Sequence, residues 1–168
     1  MYYGALKPLD VANGPGVRVS LFVSGCRNRC EGCFQPETWS FTYGKKFDYE
    51  ALQGLLTALE NPHVKGLSIL GGDPMEPENR EDVLTICRAV NVWQPEKDIW
   101  MWTGYLWEDV KDLPVMEYID VLVDGPFVEE LKDLNLQYRG SSNQRVIDIK
   151  KSLEACEVVE WKGKENLK

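Results

Sequence analysis

The chain has 168 residues, 43% of them hydrophobic and 27% charged, and its 19 Lys and Arg against 27 Asp and Glu leave a formal charge of -8. That length suits one compact domain with a real core, and the negative charge opposes nonspecific attraction to nucleic-acid phosphates and anionic membranes. No run approaches the roughly 20 apolar residues of a membrane helix, and the start MYYGALKPLD lacks the pattern of a secretory signal, so a soluble, cytoplasmic protein is expected, with neither nucleic acid nor membrane as partner.

After the turn-forming NGPG, residues 17–25 (VRVSLFVSG) are β-branched and aromatic, which predicts a first strand ending at a cysteine loop. Asp48 stands where a helix cap belongs, and Leu52, Leu55, Leu56 and Leu59 repeat at helical spacing until Asn61 and Pro62 stop the pattern. GLSILGGDP predicts a buried strand entering a glycine turn, and residues 78–92 set Val83, Ile86, Cys87 and Val90 on one helical face. DIWMWTGY and YIDVLVDGPF predict two further strands that end in glycine turns, with a short helix at 106–112 between them. A last strand is expected at 144–149, after the loop KDLNLQYRGSSN, followed by a polar, lysine-rich tail from about residue 150. This alternation predicts an α/β fold in a single domain over residues 1–168, with a mainly parallel sheet covered by helices and functional loops at the carboxyl ends of the strands.

Three of the five cysteines, Cys26, Cys30 and Cys33, fall within the stretch VSGCRNRCEGCF. Their i, i+4, i+7 spacing would also align them on a helix, but Gly25, Asn28 and Gly32 are weak helix formers. An odd cysteine count in a reducing compartment disfavours disulfides. A closed structural zinc site takes four ligands; the only histidine, His63, lies thirty residues away in sequence. Cys87 reads as a small core residue and Cys156, in the tail, as unpaired or reactive. Three thiolates suit an iron-sulfur cluster in which one iron is left open for chemistry.

The spacing C-x3-C-x2-C at Cys26, Cys30 and Cys33 resembles that of the radical S-adenosylmethionine enzymes. NGPGVRVSLFVSGC, CEGCF and Trp39 are similar to the activases of glycyl-radical enzymes. The short length and the ordered motifs LGGDP, IWMWTGY, DVLVDGPF and RGSSNQR resemble, over about residues 3–149, the branch that activates anaerobic, class III ribonucleoside-triphosphate reductases. The resemblance implies a partial (β/α) barrel of radical-SAM type, a cluster loop over 24–39, a 4Fe-4S cluster on the three cysteines, and S-adenosylmethionine chelating the open iron. It also implies reductive cleavage of that cofactor, a glycyl radical on the large subunit of the reductase, and a flavodoxin as electron donor.

Many superfamily members carry an aromatic residue before the third cysteine, where this chain has Gly32 and then Phe34; adenine packing falls to Phe34, or the backbone approaches the cofactor at Gly32. Gly71, Gly72 and Asp73 match the motif that receives the methionyl amine; alternatively they form a plain turn in which Asp73 caps the next helix. Thr103 ends a strand on the same rim and reads as a ligand of ribose or carboxylate, or as a cap. Asp124 reads as opening a turn, and Trp100, Trp102 and Trp107 as core. Arg27 and Arg29 are either charges that tune a cluster or part of a solvated loop, and Arg139 and Arg145 suit a ligand carboxylate or a partner loop. No acid or base is assigned to catalysis. Two alternatives stay open: an activase of another glycyl-radical enzyme, such as formate acetyltransferase, and a noncatalytic electron-transfer or zinc-binding module.

Overall fold

In the computed structural model, which describes residues 1–163, the apolar runs become strands β1 (Tyr2–Asp10), β2 (Val17–Val23), β3 (Lys45–Lys46), β4 (Val64–Gly71), β5 (Asp98–Trp102), β6 (Val121–Asp124) and β7 (Arg145–Asp148). They form one seven-stranded sheet in the order β3-β1-β2-β4-β5-β6-β7. The central pairings β2-β4, β4-β5 and β5-β6 are parallel, whereas β1 pairs antiparallel with β2 and β3, and β7 antiparallel with β6. The fold is thus mixed α/β with a parallel middle.

Strand periodicity divides the sheet into two unlike faces. Val19, Leu21 and Val23 of β2 share one face with Leu67, Ile69, Ile99, Met101, Leu122 and Ile147, all buried in the main core. Helices α1 (Tyr49–Leu59), α2 (Arg80–Trp93), α3 (Trp107–Val110) and α4 (Ile149–Ala155) supply the other half of that core. Asp48 caps α1 as predicted, accepting from Ala51 N at 3.0 Å, and Leu55, Leu56 and Leu59 are buried. Val83, Ile86, Cys87 and Val90 form the buried stripe of α2. Each such aliphatic side chain contributes roughly 1.5–3 kcal/mol by leaving water.

The opposite face carries Arg18, Ser20, Ser68, Trp100, Val121 and Val123, all buried, under irregular chain rather than helices. Arg18 is fully buried: its Nε donates to Ser68 Oγ at 2.6 Å, its Nη2 to Leu67 O at 2.9 Å, it pairs with Asp98 at 2.6 Å, and it stacks over Trp100 at 5.6 Å. Its hydrogen bonds and its carboxylate partner are what make a buried guanidinium tolerable.

Three elements go beyond the sequence reading, one of them β3, the two-residue strand that pairs with β1. β1 has no fully buried residue and its pairing with β2 is interrupted by register shifts, so it shows none of the alternation that marks a half-buried strand. The expected tail begins with α4, capped by Asp148 accepting from Lys151 N at 3.1 Å, and continues to Trp161, whose ring meets Trp100 edge-on at 4.8 Å. Residues 164–168 of that tail lie outside the described residues. Among the described residues, no helix is long and apolar enough to cross a membrane.

Candidate functional site

The carboxyl ends of β2, β4, β5 and β6 open into a cavity of about 670 Å³, within the roughly 300–1,000 Å³ range of small-molecule sites. Cys26, Cys30 and Cys33 line it from a segment of turn and coil, so their spacing is not a helical stripe. Lacking secondary structure, that segment is held from outside. Gly25 N donates to Thr38 O at 2.7 Å, Cys26 N to Trp39 O at 3.2 Å, and Asp73 N to Gly25 O at 2.8 Å. Arg29 adopts φ 45°, in the left-handed region that non-glycine residues seldom occupy.

Gly71, Gly72, Asp73 and Thr103 line the cavity with them. Gly71 has φ 109°, and a Cβ there would meet Val23 O at 2.6 Å, so the close approach of the β4 end to β2 requires glycine. Asp73 is only 1% exposed. Its carboxylate accepts from Thr103 Oγ1 at 2.7 Å, Met75 N at 2.9 Å and Gly104 N at 2.9 Å, with Asn28 Nδ2 at 3.4 Å. Burial pushes its pKa up to about 6, although those hydrogen bonds favour the charged form. Asp73 therefore ties together the ends of β4 and β5 and the cysteine segment. It caps its own turn through Met75 N; the residue that precedes α2 is Asn79.

The connection from β6 to β7 closes another side. Phe34, 66% exposed, lines the cavity and packs on Phe127 with ring centroids 5.3 Å apart. Gly32 is the one predicted site residue that does not line the cavity: it has φ 70°, and a Cβ there would collide with the Glu129 carboxylate of a short 3-10 turn, Glu129–Leu131. Gln144 knits this connection by accepting from Gly140 N at 2.8 Å and donating to Gly125 O at 3.0 Å. The arginines of RGSSNQR are engaged within the chain, Arg139 with Gln144 O, and Arg145 with Asp124 and Glu108. Asp124 also accepts from Trp107 N at 2.7 Å, which gives it the turn role expected of it.

The cavity also reveals residues that motif reading passed over. Phe22, Leu70 and Trp102 form its floor from the non-helical face of the sheet; their alternation with the helix-side residues was the signal that carried them. Trp102, expected as core, is half-buried at this wall, while Trp100 and Trp107 are buried. Glu76, 1% exposed, accepts from Arg27 N at 2.7 Å and Arg27 Nη1 at 2.6 Å. Nothing periodic in MEPEN distinguishes it.

The thiols fit a cluster better than a single ion. Among the described residues, no three Cys, His, Asp or Glu side chains converge as one metal would require, and zinc needs its sulfurs about 2.3 Å from one centre. A 4Fe-4S cluster takes each thiolate on a different iron, and three thiols lining one cavity are the donor set it would need. Among the described residues, no other Cys or His lines the cavity; Cys87 is buried in the helix-side core and Cys156 is exposed at the end of α4. Burial pushes the Cys26 thiol up to about 11 and raises that of Cys30, so ligation there must release protons.

A family model described as a 4Fe-4S single cluster domain matches residues 12–147. The chain is similar to three proteins named anaerobic ribonucleoside-triphosphate reductase-activating protein. That of Enterobacteria phage T4 is 43% identical over 146 residues, 87% of this chain and 93% of the relative. That of Vibrio cholerae is 45% identical over 148 residues, 86% and 96% of the two chains, and that of Escherichia coli K12 is 42% identical over 150 residues, 87% and 97%.

Proposed function

Because the chain belongs to the family of anaerobic ribonucleoside-triphosphate reductase-activating proteins, with a 4Fe-4S single cluster domain, we propose that it generates the glycyl radical of an anaerobic ribonucleoside-triphosphate reductase by reductive cleavage of S-adenosylmethionine. One observation carries this reading: three thiols at C-x3-C-x2-C spacing share a cavity with Gly71, Gly72, Asp73 and Thr103, and among the described residues no fourth Cys or His lines it. Cys26, Cys30 and Cys33 would hold a 4Fe-4S cluster, leaving one iron for the amine and carboxylate of S-adenosylmethionine. The chemistry supplied when both groups are bound is one-electron cleavage of the sulfonium and removal of a hydrogen atom from a glycine of the reductase.

The task of the chain's own residues is to bind, orient and exclude water. Carbonyls at the Gly71 and Gly72 turn would accept from the methionyl amine. Asp73, whose carboxylate is already engaged by Thr103, Met75 and Gly104, holds that turn in place and would supply negative charge toward the amine. Thr103 serves the ribose or carboxylate end, and Phe34, with Gly32 behind it, the adenine. We read the sheet as a partial (β/α) barrel of the radical-SAM type, in a single domain over residues 1–168 with the cluster loop at 24–39. The reading places the protein in the cytoplasm, with the large subunit of the reductase as partner and a flavodoxin as reductant.

The test is anaerobic reconstitution, reduction, and mixing with S-adenosylmethionine and candidate glycyl-radical proteins, followed by electron paramagnetic resonance. The expected result is a cluster signal that changes on adding S-adenosylmethionine and a glycyl doublet on the anaerobic reductase. A doublet on formate acetyltransferase alone would reassign the partner, and stable zinc binding without iron would sink the proposal.

A further inference from the structure

We infer that the mouth of the thiol cavity is the docking surface for the reductase segment that carries the target glycine, with Val11, Leu106 and Leu134 as its apolar contacts. The inference deepens the functional reading above and rests on it. Glycine has no side chain by which a site could select it, and a cavity of about 670 Å³ admits a small molecule but not a folded protein. Selection therefore falls to residues beside the glycine, which meet this chain at the mouth. Two copies of this chain, each with a formal charge of -8, repel one another, so a second copy is the poorer occupant.

Three separate connections bring exposed apolar side chains to that mouth. Leu134, in the β6–β7 connection, lines the cavity although it is 87% exposed. Val11, 75% exposed, directly precedes the cavity-lining Ala12 between β1 and β2. Leu106, 45% exposed between β5 and α3, has its Cδ2 3.8 Å from where a Cβ on the cavity-lining Gly125 would stand. Apolar residues exposed singly need no explanation; Tyr49, Trp93 and Leu153 are of that kind, each on a different helix of the opposite face. Around the mouth they gather, on backbone that is tied rather than loose. Asp133 N donates to Gly140 O at 3.3 Å, Ser142 N to Leu131 O at 2.9 Å and Asn143 Nδ2 to Pro126 O at 2.8 Å, which braces the connection bearing Leu134 across its own width. Val11 is held likewise, because Ala12 N and Asn13 Nδ2 donate to the Asp10 carboxylate at 3.1 and 2.6 Å, and Asn13 O accepts from Ser68 Oγ at 2.6 Å. A surface ordered in advance loses little entropy when a partner covers it.

The probe is the purified large subunit of an anaerobic ribonucleoside-triphosphate reductase, titrated anaerobically into the reconstituted full-length chain with S-adenosylmethionine present, and the readout is the affinity of the complex by calorimetry. Leu134→Asp and Val11→Asp should each weaken it at least about tenfold, since each removes an apolar contact and sets a carboxylate against an apolar surface. Trp93→Asp, on the opposite face, should stay within about threefold of wild type. Leu134→Ala, a plain truncation at an exposed position, should weaken the complex by about threefold or more and decides the matter should the aspartate variant fail to fold. Affinities of the Leu134 and Val11 variants within about threefold of wild type would overturn the inference, as would a Trp93→Asp variant weakened as much as they are. If Leu134→Asp abolished self-association of the chain and left the reductase complex intact, the mouth would belong to a second copy and the inference would fall. A wild-type chain that forms no complex with the reductase would sink the functional reading itself, whereas a complex indifferent to these substitutions would sink this inference alone.

Discussion

The two faces of the central sheet are built on different plans. One face buries aliphatic residues under α1, α2, α3 and α4, and each of its residues is replaceable in kind. The other buries Arg18, Ser20, Ser68 and Trp100 beneath irregular chain, and toward the strand ends it opens into the cavity with the thiols. The lesson is that the regular face supplies stability by area, whereas the irregular face depends on individual polar and aromatic contacts. Substitutions of comparable size should accordingly have unequal consequences on the two sides.

The largest effect is expected at the cavity. Cys30→Ala should abolish assembly of an active 4Fe-4S cluster, measured as iron content and cleavage of S-adenosylmethionine, because among the described residues no thiol besides Cys26 and Cys33 lines the cavity to take its place. Cys26→Ala and Cys33→Ala should match it. Full cleavage by any of the three would remove the distinction between the faces at its centre.

Trp100→Ala tests the irregular face for stability rather than chemistry. The side chain is 1% exposed and meets Arg18, Trp102, Tyr138 and Trp161. A loss of about 3–5 kcal/mol is expected in denaturant titration, and a loss below about 1 kcal/mol would mean that the loops contribute little to the fold.

Asp73 sharpens the comparison through pH. Its folded pKa is raised by burial to about 6, above the ordinary value of 3.8, so between those pH values the folded chain holds a proton that the unfolded chain has released. The contribution of Asp73 to stability therefore falls as pH rises through that window and levels off above it. Asp73→Asn carries no such titration, so the stability of the variant relative to wild type should increase from pH 4 to 6. A difference independent of pH would show that Asp73 is ionised throughout.

The smallest effect belongs to the helix side. Cys87 is fully buried among aliphatic neighbours, and burial alone pushes its thiol up to about 12. Cys87→Ala should cost about 1 kcal/mol and leave iron content unchanged. Loss of iron equal to that in Cys30→Ala would place a fourth thiolate on the cluster and return the chain to the class of electron carriers.

How much of this was legible in advance follows the same division. The leucines of α1, the stripe of α2 and the four parallel strands were readable because burial against one neighbour imposes a period of 3.6 or 2 on the sequence. The three cysteines and the GGDP turn were readable because their chemistry restricts residue type at close spacing. β1 was not, since a strand that lies between β2 and the two-residue β3 and buries neither face fully imposes no period, nor was α4 beneath what read as a polar tail.

What the sequence determined by itself was the α/β alternation, the helix-side core and the set of thiols, all local properties of residue type and spacing. The tertiary structure alone decided that Asp73 binds Thr103, Gly104 and Asn28, that Glu129 occupies the space beside Gly32, and that Glu76 holds Arg27. Those pairs join residues tens of positions apart whose polar side chains carry no period. Their partners are chosen only when the strand ends bring the loops together, because a polar group that folding buries must find its hydrogen bond in whatever lies beside it.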